Sequence, residues 1–206
     1  MEILIVGSGN VGQALGRAWK RAGRAITFAV RDITSPKVAD LKSQNFRVAG
    51  LRDAAKAADA VVLAVPYGGI EGALSLVGDL SGKILIDATN PLTPDLDLAV
   101  GFDSSAGEMV AKLAKGARVV KAFNTTGAEN MDKASAFPEK PAMFIASDDS
   151  GAKAIVQKLA EEIGFEAIDA GPLKASRYLE PMAMQWIKLA FSGMGTQFAF
   201  SIVRRG

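Results

Sequence analysis

The first twelve residues constrain this chain more than any other stretch. Met1-Glu2-Ile3-Leu4-Ile5-Val6 is a short apolar run that breaks into Gly7-Ser8-Gly9-Asn10-Val11-Gly12, after which Val11, Leu15, Trp19 and Ala22 recur at helical spacing. A G-x-G-x-x-G loop that directly follows a strand and directly opens a helix is the dinucleotide-binding arrangement. Gly7 permits the tight turn, Gly9 lets a pyrophosphate approach backbone, and Gly12 lets helix and strand pack closely. The amides around Ser8, Asn10 and Val11, together with the helix dipole, then face the phosphates.

The same grammar continues downstream. Strand-like runs at 25–30, 46–49, 59–65, 83–87 and 117–122 alternate with helical runs at 36–44, 52–58, 68–78 and 104–114. The strand runs are near-continuous Val, Ile, Leu and Ala, as expected of strands buried on both faces. This predicts an α/β chain with a Rossmann-type, doubly wound, mainly parallel sheet. After Asn124 the pattern loosens through Pro138 and Pro141, then resumes with a strand at 142–146, a helix at 149–163, a strand at 165–169 and a helical segment from Ser176. The expected division is a nucleotide-binding domain over 1–126 and an extension over 127–206 that completes the sheet.

What the chain lacks narrows its chemistry. Among 206 residues there is no histidine and no cysteine. Without thiols there are no disulfides or thiolate metal sites, and no metal is expected. Histidine is the usual acid or base near neutral pH. A hydroxy-acid or alcohol dehydrogenase moves a proton with its hydride, and with two tyrosines and no histidine this chain is poorly equipped for that. A hydride passed between two cofactor rings needs alignment more than a base, so no catalytic side chain is expected. Net charge is +2 and no basic run exceeds Arg204-Arg205, which argues against nucleic acid. A nucleotide strand beginning at residue 2 leaves no room for a signal peptide, so a cytoplasmic location is the expectation.

The end of the second strand reports on the nucleotide. NAD sites place Asp or Glu there to hold the ribose 2′-hydroxyl. Here the position is Val30, followed by Arg31. A guanidinium grips a 2′-phosphate bidentately, so the pair favours NADP(H). Ser35 and Lys37, at the next helix start, are placed to help the phosphate, while Asp32 is placed to compete for a hydroxyl.

Five segments, in order and spacing, resemble a known family: Gly7 to Gly12, Phe28-Ala29-Val30-Arg31, Leu63-Ala64-Val65-Pro66-Tyr67, Ile86-Asp87-Ala88-Thr89-Asn90-Pro91-Leu92 and Val120-Lys121-Ala122-Phe123-Asn124-Thr125. They look like the NADPH-dependent coenzyme F420 reductases, and are similar to the cytosolic oxidoreductase domain of the STEAP metalloreductases. Met143 to Asp149 and Gly164-Phe165 extend the likeness over nearly the whole chain. The resemblance implies NADP(H), hydride transfer to a deazaflavin (F420) or a flavin (FMN or FAD), and a homodimer. It maps a Ser-Arg 2′-phosphate pair onto Val30 and Arg31. It also places the nicotinamide carboxamide and the second ring near Ala122, Phe123 and Asn124.

Two further turns carry alternatives. Val65-Pro66-Tyr67 reads equally as a wall against ribose and nicotinamide or as a proline-ended strand with an aromatic lid. Asn90-Pro91 reads as a nicotinamide contact or as a common turn. Two other functions stay open: a short imine or β-hydroxyacid-type reductase, and a non-enzymatic NADP(H)-sensing protein. Residues 182–203 carry one charge, Lys188, and read as the continuation of one long apolar helix with apolar residues on every face. Such a helix must be buried. Gln185, Ser192, Gly193, Gly195, Thr196 and Gln197 interrupt it, so it is no membrane span, and a dimer contact is expected.

Overall fold

A computed structural model describes residues 1–205. Eight strands form one sheet in the order β3-β2-β1-β4-β5-β6-β7-β8. They are β1 Glu2–Val6, β2 Ala25–Val30, β3 Arg47–Gly50, β4 Ala60–Leu63, β5 Ile84–Asp87, β6 Arg118–Lys121, β7 Ala142–Ala146 and β8 Glu166–Gly171. Strands β1 to β6 pair in parallel; β7 meets β6 antiparallel and pairs in parallel with β8. The sheet is therefore doubly wound and mostly parallel, as the alternating pattern predicts.

Successive strand side chains sort onto opposite faces. Ile3, Ile5, Val62, Ile84 and Ile86 pack on one side with Leu15 and Trp19 of α1 (Asn10–Arg21) and Val156 and Leu159 of α6 (Ser150–Glu162). Leu4, Val6, Val61, Leu63 and Leu85 pack on the other with Ile70 of α3 (Ile70–Leu74) and Val110 of α4 (Ala106–Leu113). Covering both faces is why the strands read as continuous apolar runs. Trp19 Nε1 donates to the Leu159 carbonyl at 2.9 Å and ties α1 to α6. The remaining helices are α2 Pro36–Ser43, α5 Ala128–Asp132 and α7 Ser176–Leu189.

Caps explain several boundaries. Ser105 accepts from the Glu108 amide at the start of α4, and Asp149 from the Ala152 amide at the start of α6. Two expected helices shrink. The 52–58 segment is one 3₁₀ turn at Ala54–Ala57, entered through the left-handed Asp53. The 68–78 segment is a 3₁₀ turn and the short α3, since Gly68, Gly69, Gly72 and Gly78 make poor helix.

The C-terminal segment departs further. A long helix is present, but it continues past Leu189 only as a π turn at Ala190–Met194 and breaks at Gly193 and Gly195, both at positive φ. The chain then turns back as an irregular strap. Asn130 Nδ2 donates to the carbonyls of Thr196 and Phe198 at 3.0 and 2.7 Å. Trp186 donates to the Phe198 carbonyl and stacks on its ring. The single helix over 182–203 is thus corrected: two glycines end it, and the apolar side chains beyond them pack as a strap or stay exposed. Val203, for one, is 87% exposed. No helix among the described residues is long and apolar enough to cross a membrane.

Candidate functional site

In an open parallel sheet a crevice forms where the chain reverses direction along the sheet, outside the C-terminal strand ends. Here that point lies between β1 and β4. A cleft of about 530 Å³ opens there, lined by Gly7, Ser8, Gly9, Val30, Arg31, Lys37 and Pro66 among others. A second, of about 830 Å³, shares Gly9, Ala64, Val65, Pro66 and Gly68 with the first and runs on past Asn10, Val11, Tyr67, Thr89, Asn90, Leu92 and Leu96. The two form one groove crossing the glycine loop.

The three glycines of the loop differ in their surroundings. A Cβ on Gly7, whose φ is +115°, would lie 2.2 Å from the Ala64 carbonyl oxygen. A Cβ on Gly12 would lie 2.3 Å from the Gly7 carbonyl oxygen, so strand and helix meet as the sequence predicts. Around Gly9 there is nothing within 4 Å. That glycine is not demanded by the protein's own packing and faces open groove, the situation expected where a ligand approaches backbone.

At the cationic end, Arg31 and Lys37 line the groove beside Val30. Ser35 precedes α2 at its N-cap position, without a side-chain capping bond, and does not line the groove. Asp32 is engaged elsewhere: its Oδ1 accepts from the amide and hydroxyl of Thr34 at 2.8 and 2.6 Å. These bonds hold its carboxyl below the usual carboxylate range. The one acid near the second strand end is therefore folded into its own turn.

The other end is apolar. Among the described residues lining it, Tyr67 is the one titratable side chain, and its hydroxyl lies 3.8 Å from Met109 Sδ. Asn90 lines this wall, its Nδ2 donating to the Asn124 carbonyl at 2.9 Å. Asn124 Nδ2 returns a bond to Asn90 Oδ1 and gives another to the Leu179 carbonyl, both at 3.1 Å. Asn124 Oδ1 and Thr125 Oγ1 are buried without a protein partner. Pro91 is buried behind Asn90. Ala122 and Phe123 do not reach the groove with their side chains: both are fully buried, the Phe123 ring packs edge-on against Trp19, and its amide donates to Met143 Sδ at 3.1 Å. Phe123 takes a left-handed φ of 60°, and this turn aims Asn124 back toward Asn90.

Sequence reasoning missed the charges behind the wall. Lys121, Asp87 and Glu180 have no exposed surface and form a salt-bridged cluster. Burial works against the lysine's charge, but Asp87 and Glu180 outweigh it and hold the ammonium above its ordinary range. Glu180 lies within α7. It accepts from Ala106 and Gly107 at the start of α4, 2.9 and 3.0 Å away. The available signal was Lys121 and Asp87 standing inside otherwise apolar strands. Among the described residues no group of His, Cys, Asp and Glu is placed to hold a metal ion.

Residues 2–91 match the family model described as NADP oxidoreductase coenzyme F420-dependent. An F420-dependent NADP reductase of Methanocaldococcus jannaschii is 35% identical over 142 residues, 63% of this chain and 60% of that protein. Metalloreductase STEAP3 of Rattus norvegicus is 27% identical over 184 residues, 89% of this chain and 36% of that protein. The chain thus spans less than two thirds of either relative. The crystal structure of a provisionally assigned F420-dependent NADP-reductase from Arthrobacter sp. fb24 superposes with a TM-score of 0.90 at 28% identity, covering 98% of this chain and 99% of that one.

Proposed function

We propose that the chain, which is similar to the coenzyme F420-dependent NADP oxidoreductases, binds NADP(H) along this groove and is a reductase whose second substrate is a deazaflavin or flavin ring. The bound nicotinamide supplies the hydride. The chain's own residues bind and orient. The Gly7–Gly12 loop and the start of α1 offer backbone amides to the pyrophosphate. Arg31 and Lys37 hold the 2′-phosphate, and Val30 packs beside them. Val65, Pro66 and Tyr67 form the wall of the reacting end, Asn90 lines it with Asn124 bonded behind, and Leu92 and Leu96 exclude water.

One observation carries this reading. The groove runs from a cationic end, across bare glycine backbone, to an apolar end where Tyr67 alone titrates among the described lining residues. That surface suits a flat ring and offers little for protonating a substrate. Reduction of an imine or a carbonyl calls for a placed proton donor, and the apolar end favours a ring acceptor over either.

On this reading residues 1–126 hold the nucleotide and 127–206 complete the sheet. A second copy pairs through the C-terminal end of α7, where Phe191 and Met194 stay exposed. The test is NADPH oxidation against coenzyme F420, FMN, FAD, a quinone and an imine, with light scattering for the dimer. Turnover with a deazaflavin or flavin is expected. Turnover with the imine alone, or NADPH binding with no turnover at all, would replace the reading.

A further inference from the structure

Lys121 Nζ, at the end of β6, donates to Asp87 Oδ2 at 3.0 Å and to the Thr89 carbonyl at 2.6 Å, and lies 2.8 Å from Glu180 Oε1. All three ammonium hydrogens are thus engaged. Asp87 Oδ1 accepts from the Thr89 amide and hydroxyl at 3.0 and 2.7 Å. Thr89 is therefore held at its carbonyl, its amide and its side chain, and the next residue, Asn90, is a polar group of the groove wall.

A buried ion cluster is a poor device for stability alone, because desolvation consumes much of the Coulombic gain and well-packed apolar groups often do as well. Apolar packing, however, does not fix the direction of a peptide carbonyl. A charged donor at 2.6 Å does.

We propose that Lys121 is a positioning residue of the groove, setting Thr89 and through it the place of Asn90 in the groove wall. It acts through Thr89 and Asn90 and touches neither substrate nor cofactor. The consequence for turnover rests on the functional reading above; the consequence for Asn90 does not.

The test is a triple variant, Asp87→Asn, Lys121→Met and Glu180→Gln. It removes all three charges together, so no carboxylate is left buried and unpaired. The amide oxygen introduced at position 87 still accepts from Thr89, and the one introduced at position 180 keeps one of the two α4 amide bonds, which Glu180 receives on separate oxygens. The donor to the Thr89 carbonyl is what disappears. In ¹⁵N-correlated spectra the Asn90 side-chain amide signals, identified by their loss in Asn90→Asp, should shift and broaden while the rest stays dispersed. With whichever acceptor the unmodified chain reduces, kcat should fall on the order of tenfold to a hundredfold, while KM for NADPH changes by less than about threefold. Should the triple variant not fold, Asp87→Asn with Lys121→Met carries the same readouts, since Glu180 keeps its two amide partners. A folded variant with unchanged Asn90 signals and unchanged kcat overturns the proposal. If the unmodified chain reduces no acceptor, the functional reading fails, and the Asn90 signals still decide the role of Lys121.

Discussion

Asn90 and Asn124 hold one another across the ends of β5 and β6: Asn90 Nδ2 donates to the Asn124 carbonyl and Asn124 Nδ2 to Asn90 Oδ1. The pair ties the end of β6 to the groove-lining end of β5, and the further bond from Asn124 to Leu179 brings α7 into the arrangement. Asn124→Ala leaves two carbonyl oxygens without this donor. It should cost about 1–3 kcal/mol of stability, read as a lower urea midpoint at unchanged slope.

Gly9 and Gly12 should respond in opposite ways. A side chain at Gly9 meets no protein atom, so Gly9→Val should keep its melting temperature and lose NADPH affinity. Gly12→Val drives a Cβ against the Gly7 carbonyl and should cost about 1–3 kcal/mol or more before any ligand is added. Calorimetry with NADPH and thermal melts separate the two. Unchanged binding by Gly9→Val would remove the dinucleotide reading of the loop.

Arg31 should set the preference for NADPH over NADH. Its charge-assisted bonds to a 2′-phosphate are worth roughly 1.5–3 kcal/mol, on the order of tenfold to a hundredfold in affinity. Arg31→Ala should weaken NADPH by that factor and leave NADH nearly unchanged. Equal losses for both would assign Arg31 to stacking.

Stability should be nearly flat from about pH 5 to about pH 9, since the chain has no histidine. On the acid side, Arg118 and the Ala152 amide hold the Asp149 carboxyl far below the carboxylate range, and Arg177 and Ser105 lower Glu108. Lowered acids stabilise the fold above their unfolded values, near about 4, and that contribution is lost as pH falls toward the folded ones. Lys121 is raised, so its contribution is present below about 10.4 and fades as pH rises through its folded value. Melting temperature against pH checks this, and Arg118→Ala should flatten part of the acid limb.

The C-terminal strap should detach when Asn130 is truncated. Its amide serves Thr126 Oγ1 and the Thr196 and Phe198 carbonyls from a buried position. Asn130→Ala should cost about 1–3 kcal/mol and speed tryptic cleavage at Arg204 and Arg205. Equal cleavage rates would show that the Trp186–Phe198 stack holds the strap by itself.

Local chemistry made most of the architecture legible. Strand and helix periods, the turn demanded at Gly7 and the apolar-then-Arg ending of the second strand are properties of neighbouring residues, and each reappears in the sheet and along the groove. What only the tertiary structure decided depends on residues far apart in the chain. Lys121, Asp87 and Glu180 lie on three elements and have meaning only when burial brings the opposite charges together. Phe123 sits in a segment expected to meet the nicotinamide, yet its ring faces Trp19 because a left-handed turn directs it into the core. The 182–203 segment reads as one helix from composition. Gly193 and Gly195, with Asn130 and Trp186 ready to bind the returning backbone, end it, because contacts across the fold outweigh a helical preference worth only tenths of a kcal/mol per residue.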